Sequence, residues 1–286
     1  MNPSNKKFID VEEIIRRKSP KLLKWLPRFF LNYIKRKLHE DFINRGMEMY
    51  EEAKGHEFNE CAISYMGAEV ESANVERVPE YGGIIVVANH PLGGLDGMAL
   101  IKAVSEKRKD VRFLVNDILL HLKNFGELFV GVNKVGKNIS EALKTIEEVY
   151  SSEHAVLIFP AGLVSRYQKG KIRDLNWKKS FVTQAIKHQK IIVPAFIQGR
   201  NSNFFYNFSR FRKLLGIKVN IEMFLLPDEM VNQKGKSIRI SFGKPFSYSC
   251  FHKGKSHAEW AEMVKLYVYE LEKNPNISFE EFIKEK

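Results

Sequence analysis

The sequence predicts an α/β fold: a largely parallel, mixed sheet flanked by helices, with an amphipathic helical segment ahead of it. Two observations carry this. From Ile84 onward, short continuous apolar runs alternate with stretches of helical period, as expected of strands buried on both faces and joined by crossover helices. Before them, residues 11–51 keep a helical period throughout, with aromatic and basic residues interleaved.

Within that first stretch Leu22, Leu23, Trp25, Leu26, Phe29, Phe30, Tyr33 and Ile34 alternate with Lys18, Lys21, Lys24, Arg28, Lys35, Arg36 and Lys37. Pro27 lacks the N–H that an interior helical residue donates, so it predicts a break or kink. A basic helix carrying Trp and Phe suits an interfacial, monotopic membrane element, where each cation near an anionic surface contributes about 1 kcal/mol. A core-packed helix with a solvated basic face fits the same pattern equally well. The run Ile84–Ala88 is the first strand of the body; it ends at Asn89-His90, and Gly93-Gly94 lead into a helix over 95–107. The alternation continues with a strand at Val111–Val115, helical residues to about Phe125, a loop over 131–137 and a helix over 139–150. A strand over 155–159, a helix over 176–188, strands over 191–196 and 237–242, and a C-terminal helix over 258–273 complete it. No repeat or low-complexity tract intervenes, so the economical division is a helical, membrane-surface segment (1–78) and one α/β domain (79–286).

The 286 residues are enough for a sizeable core, and 21 phenylalanines ask for a buried interior or an apolar ligand. A net charge of +12 favours anionic partners, whether acidic headgroups, an acidic carrier protein or nucleic acid. For nucleic acid only the charge speaks, because no RRM, KH or helix-turn-helix signature is present. Only Cys61 and Cys250 are present, far apart and without C-x-x-C spacing, so neither a disulfide framework nor a zinc cluster is indicated and a reducing cytoplasm is the default. The N-terminus lacks a signal-peptide pattern, and no run of eighteen apolar residues predicts a transmembrane helix.

His90 stands where a buried strand opens into a glycine-bearing loop, the usual address of a ligand site in open α/β sheets. Asp96 follows after five residues, and Gly93 and Gly94 permit the loop to fold back and bring the carboxylate to the imidazole. Such a carboxylate fixes the tautomer and stabilises the imidazolium, which leaves the other ring nitrogen free as a general base. Backbone N–H groups near Gly93 and Gly94 are candidate oxyanion donors. By itself the pair is also consistent with chance spacing, with Asp96 as a helix cap. No Gly-x-Ser-x-Gly elbow, Walker loop or dinucleotide fingerprint is present, and no metal-ligand spacing surrounds His90. A mechanism without an enzyme nucleophile, using a thioester donor, fits these absences.

Asn89-His90 through Asp96 resembles the N-H-x-x-x-x-D motif of the lysophosphatidic acid acyltransferase, or glycerolipid acyltransferase, superfamily. Further blocks follow in order: Gly131-Val-Asn-Lys-Val135 lies at the second motif, and Phe159-Pro-Ala-Gly-Leu-Val-Ser-Arg166 looks like F-P-E-G-T-x-S. Ile192-Val-Pro-Ala195 is similar to the late V-P motif and Phe242-Gly-Lys-Pro245 to the terminal G-x-P turn. The resemblance implies the glycerolipid acyltransferase fold, with His90 as base and Asp96 as its support. It also implies acceptor binding by Asn89, Gly93, Gly94, Lys134, Phe159, Pro160, Gly162 and Arg166, of which Arg166 and Lys134 would face an anionic headgroup. For Lys134 and Lys137 a solvated loop is an equal reading. The donor would be acyl carrier protein or acyl-CoA, with no cofactor and no metal, and the enzyme would sit on the cytoplasmic face of the cell membrane as a peripheral or monotopic protein. Two departures stand out: five residues rather than four separate His90 from Asp96, and Ala161 replaces the third-motif Glu. Both resemble a bacterial branch that acylates lyso-aminolipids, such as lyso-ornithine or lyso-glycine lipids, some members of which carry a hemolysin label. The expected activity is therefore O-acylation of a lyso-lipid, either a lyso-aminolipid or lysophosphatidic acid. The competing expectations are a non-catalytic membrane-binding protein of the same fold and an acyl-ester hydrolase. A second aromatic and basic stretch, 204–215, reads as core packing or as an acyl tunnel or interfacial element.

Overall fold

The computed structural model describes residues 7–18, 20–132, 139–168 and 170–286. Where the sequence suggested one kinked helix, four short ones stand: α1 (Val11–Lys18), α2 (Pro20–Trp25), α3 (Arg28–Lys37) and α4 (Glu40–Met49). Pro27 holds extended backbone (φ −60°, ψ 143°) at the start of α3, and His39 turns the chain between α3 and α4 in the left-handed region (φ 50°). The residues that follow belong to the body. Helix α5 (Gly55–Met66) leads to β1 (Glu69–Ala73), which pairs in parallel with β9 (Ser237–Phe242), from Glu69 opposite Ser237 to Ala73 opposite Ser241. The segment before residue 79 is thus split, with only α1 to α4 lying ahead of the sheet-forming part. Glu-Val-Glu-Ser-Ala is an edge strand with polar residues alternating on its exposed face, so it carries no continuous apolar run to reveal it.

The other sheet strands are β2 (Ile84–Ala88), β3 (Val111–Val115), β4 (Phe129–Gly131), β5 (Ala155–Ile158), β8 (Ile191–Ile197) and β10 (Phe246–Ser247); β6 (Arg166–Gln168) and β7 (Lys171–Arg173) form a separate hairpin. The order across the sheet is β1-β9-β8-β2-β5-β3-β4, and all neighbours are parallel except β8 with β9; β10 also pairs antiparallel with β8. Pro194 lies inside β8, where a missing N–H would ordinarily be a defect. It falls where the antiparallel partner changes, with β10 opposite Ile191 and Ile192 and β9 opposite Ala195 to Ile197. The turn at Gly243 closes this gap by donating its N–H to the Pro194 carbonyl at 2.8 Å.

Alternate side chains of the sheet build two cores. Ile84, Val86 and Ala88 join Phe58 of α5 and Leu95, Leu100 and Val104 of α6 (Gly94–Ser105) on one face. Ile85 and Val87 join Tyr150 of α7 (Ile139–Ser151), Phe181 of α8 (Ser180–Lys187), Trp260 of α11 (His257–Glu270) and Phe279 of α12 (Phe279–Lys284) on the other. Every residue of β2 is fully buried, which is why its sequence is uninterruptedly apolar. Between β8 and β9 the chain forms α9 (Asn203–Leu214), a 3₁₀ turn at Ile221–Leu225 and α10 (Leu226–Val231). With the β6–β7 hairpin these elements cover the carboxyl end of β2, where Val164, Phe205 and Tyr206 form a third small core. Among the described residues, no helix is long and apolar enough to cross a membrane.

Candidate active site

Residues 89–96 leave the carboxyl end of β2 and turn back into α6. Asn89 is buried, and both ends of its amide hold β8: Nδ2 donates to the Ile197 carbonyl at 2.9 Å, and Oδ1 accepts from the Ile197 N–H at 2.7 Å. Asn89 therefore latches two strands together rather than facing the site. His90, the next residue, turns its ring to Asp96 and Phe159 instead. Gly93 then takes φ 99° and ψ −134°, a conformation that only glycine holds without strain, and this returns the chain to the first turn of α6.

That return places Asp96, fully buried, against the imidazole. Its Oδ2 accepts the His90 Nδ1–H at 2.9 Å, the Leu92 N–H at 2.7 Å and the Gly93 N–H at 3.0 Å. Because a carboxylate can only accept, Nδ1 carries the ring proton, and neutral His90 presents an unshared pair at Nε2. Among the described residues no protein group bonds to Nε2. Phe159 stacks on the imidazole at 4.2 Å between ring centres and 16° between planes, and so restricts rotation of the ring. The Gly93 N–H, one of the oxyanion donors considered above, is already engaged by Asp96. Gly94, the first residue of α6, remains exposed at the positive end of the helix.

The third motif folds around the same histidine. Ser165 donates its N–H to the His90 carbonyl at 2.7 Å, and its hydroxyl bonds Asp174 Oδ1 at 2.6 Å. Asp174, fully buried, also accepts the His90 N–H on Oδ1 at 3.2 Å and the Trp177 indole N–H on Oδ2 at 2.9 Å. Burial pushes its carboxyl above the usual range, against the bonds from Ser165 and Trp177 that favour the charge. Phe159, Pro160 and Gly162 make a tight turn in which the Gly162 N–H reaches the Phe159 carbonyl at 3.0 Å, with Gly162 at φ 66°. The Pro160 carbonyl accepts the Lys178 N–H at 3.0 Å, and the Lys178 ammonium lies over Gly162, 3.1 Å from where a Cβ would stand.

Arg166, anticipated as a headgroup contact, points inward. Its guanidinium is almost fully buried, with Nε at 3.2 Å and Nη2 at 3.0 Å from Glu222 Oε1, and Nη1 on the Val164 carbonyl. Arg212 approaches the same carboxylate, with Nε 2.7 Å from Oε2. Burial raises the Glu222 carboxyl, but its backbone bond and the two guanidiniums outweigh that and hold it below the usual range. The reason for the correction is physical: a buried cation demands a buried anion, and the insertion after β8 supplies one. Lys134 lies outside the described residues. Asp174, Trp177 and Lys178 follow the third motif by eight residues or more and carry no spacing signal in the sequence.

A family model described as "Acyltransferase" matches residues 13–277. The chain is 42% identical to a lyso-glycine lipid O-acyltransferase of Bacteroides thetaiotaomicron over 265 residues, covering 92% of this chain and 97% of that protein. It is 40% identical to a lyso-glycine lipid O-acyltransferase of Phocaeicola vulgatus over the same length, covering 92% and 95%. The crystal structure of PlsC, the 1-acyl-sn-glycerophosphate acyltransferase of Thermotoga maritima, is similar with a TM-score of 0.47 and 20% identity, over 76% of this chain and 78% of that one. A family model that spans nearly the whole chain, and relatives aligned almost end to end with it, place this protein in the acyltransferase family.

Proposed function

We propose that this acyltransferase moves an acyl chain from an acyl thioester to the hydroxyl of a lyso-lipid, with His90 as general base and Asp96 as its partner. The observation that carries the reading is the imidazole with Nδ1 tied to a fully buried carboxylate and Nε2 left open. The acceptor hydroxyl gives its proton to Nε2 as its oxygen attacks the thioester carbonyl. The C–O bond forms, the C–S bond breaks, and the imidazolium returns the proton to the departing thiolate. Asp96 stabilises the imidazolium between these steps. The donor is acyl carrier protein or acyl-CoA.

The acceptor we favour is a lyso-aminolipid, with lyso-glycine lipid first and lysophosphatidic acid as the alternative. The names of the two relatives support this choice. So does the third motif, which has Ala161 in place of the family Glu, an inward Arg166, and Lys178 as an exposed cation beside Gly162 for an acidic headgroup. The enzyme works at the cytoplasmic face of the cell membrane as a peripheral or monotopic protein. Trp25 and Phe29 are 87% and 75% exposed in α2 and α3, next to Lys24, Arg28, Lys35 and Arg36, which suits insertion among anionic headgroups. Leu214 and Phe224, 87% and 67% exposed beside Arg210, Lys213 and Lys218, offer a second such surface. Asp228 joins the two regions, with 2.9 Å bonds to Lys37 Nζ and His39 Nε2.

The test is transfer of labelled acyl chains from acyl carrier protein or CoA to lyso-glycine lipid, lyso-ornithine lipid and lysophosphatidic acid on anionic vesicles. Labelled diacylated product from the lyso-aminolipids, above that from lysophosphatidic acid, is the expected result. Free fatty acid as the only product would replace the reading with a hydrolase.

A further inference from the structure

We infer that Asp174 is a second working carboxylate of the site, a positioning residue that fixes the backbone of His90 while Asp96 fixes its ring. The inference rests on the reading of His90 as the base. A catalytic imidazole has two sets of freedoms to lose, those of its side chain and those of the backbone that carries it. Asp96 and the stacked Phe159 restrain the ring. Asn89 ties the residue before His90 to Ile197, and Asp96 holds the Leu92 and Gly93 N–H groups after it, but none of these bonds reaches the His90 N–H or carbonyl.

The backbone restraint is supplied from the other side of the site. The His90 N–H donates to Asp174 Oδ1 at 3.2 Å, and the His90 carbonyl accepts the Ser165 N–H at 2.7 Å. Ser165 and Asp174 are themselves joined at 2.6 Å, so the two peptide groups flanking His90 are gripped by one bonded pair. Asp174 is locked in turn by the Trp177 indole at 2.9 Å and by its own N–H on the Tyr269 hydroxyl at 2.8 Å. Tyr269 belongs to α11, so the clamp ties the third motif and the strand exit to a core helix on the far face of the sheet. A fully buried carboxylate is costly to keep, and here one oxygen holds the residue that bears the base and its partner Ser165, while the other is anchored by Trp177.

The experiment compares Asp174→Asn, Trp177→Phe and the double variant with wild type and His90→Ala, measuring kcat and both KM values for acyl transfer together with thermal unfolding. An Asn oxygen can still accept from His90 N–H and Ser165, but its NH₂ must then oppose the Trp177 N–H. Trp177→Phe removes that opposing donor. A shift of the base by a fraction of an ångström or more corresponds to a loss of up to about 100-fold in kcat. The expected result is a kcat loss of that order in Asp174→Asn, with both KM values within about twofold, and recovery of at least about tenfold in the double variant. Wild-type kcat in Asp174→Asn would overturn the inference, as would a loss that appears in KM or fails to recover when Trp177 is replaced. If Asp174→Asn does not fold, Ser165→Ala stands in, since it removes the hydroxyl that bridges Asp174 Oδ1 and the His90 carbonyl, at 2.6 and 3.2 Å, and keeps the shorter N–H bond to that carbonyl. A fall in kcat at constant KM then supports the clamp, and wild-type kcat overturns it. Full activity in His90→Ala would instead remove the reading on which the inference depends.

Discussion

Replacing Asp96 by Asn separates what its charge does from what its shape does. The carboxylate uses one oxygen, Oδ2, for all three of its bonds, while Oδ1 is buried without a partner. An Asn oxygen placed at Oδ2 keeps all three donors satisfied, and its NH₂ occupies the buried position of Oδ1, which has no hydrogen-bond partner. The fold should then lose only about 1 kcal/mol, the cost of one buried unpaired amide group. Catalysis should lose far more. With the charges of imidazolium and carboxylate about 4 Å apart, their attraction at an effective dielectric near 20 is about 4 kcal/mol, or about a thousandfold in rate. The amide dipole retains part of that, so the expected fall in kcat is about 100- to 1000-fold, with Tm nearly unchanged. Asp96→Ala differs: it leaves the Leu92 and Gly93 N–H groups buried and unpaired, at a cost of about 2–6 kcal/mol in stability. The assay is steady-state acyl transfer on lyso-lipid vesicles beside thermal unfolding followed by circular dichroism. An Asn variant that keeps kcat within tenfold of wild type would refute the charge argument. An Ala variant as stable as wild type would refute the loop argument.

Other perturbations probe the support of the site. Glu222→Gln leaves Arg166 and Arg212 facing each other without an anion; breaking a buried pair in this way costs about 3–5 kcal/mol, and Tm should fall by about 10 °C, whereas an unchanged melt would contradict the assigned internal role. Joint replacement of Trp25 and Phe29 by Glu removes two exposed apolar anchors worth about 1.5–3 kcal/mol each, so vesicle sedimentation should show at least about a hundredfold weaker binding; wild-type binding would remove α2 and α3 from the membrane surface. Asp228 is held below its ordinary value because the bonds from His39 and Lys37 outweigh the effect of burial. A carboxyl lowered in the folded state contributes stability above the unfolded value of about 3.9 and loses it as pH falls through the folded value. Hydrogen exchange of residues 28–49 should therefore be constant from pH 7 to 5 after correction for intrinsic rates and rise only below pH 4, and a rise already near pH 6 would assign the link to another group.

The central strands of the sheet were legible in the sequence. Ile84–Ala88 and Val111–Val115 emerge with the expected boundaries because strands covered on both faces tolerate few polar residues, and Ser237–Phe242 because Ile238, Ile240 and Phe242 are buried in alternation with polar residues. Strand β1 escaped notice because an edge strand needs no such run, and α9 because its helical period is masked by aromatic residues on both its buried and exposed sides. In the site, His90 and Asp96 were legible because loop geometry brings near neighbours in sequence together through two glycines. Asp174 lies 84 positions from His90, and nothing local marks it among the other acidic residues. Arg166 was misjudged for a related reason: its partner Glu222 is 56 residues away, and a third-motif arginine reads the same from sequence whether it faces a ligand or a buried anion.

The most direct test of the account is the rate of acyl transfer from a labelled acyl thioester to lyso-glycine lipid, with wild type and His90→Ala compared at equal folded and vesicle-bound concentration. The account predicts product formation by wild type and a loss of about 100- to 10,000-fold in kcat for the variant, the usual contribution of a general base. Transfer by His90→Ala at the wild-type rate would contradict it.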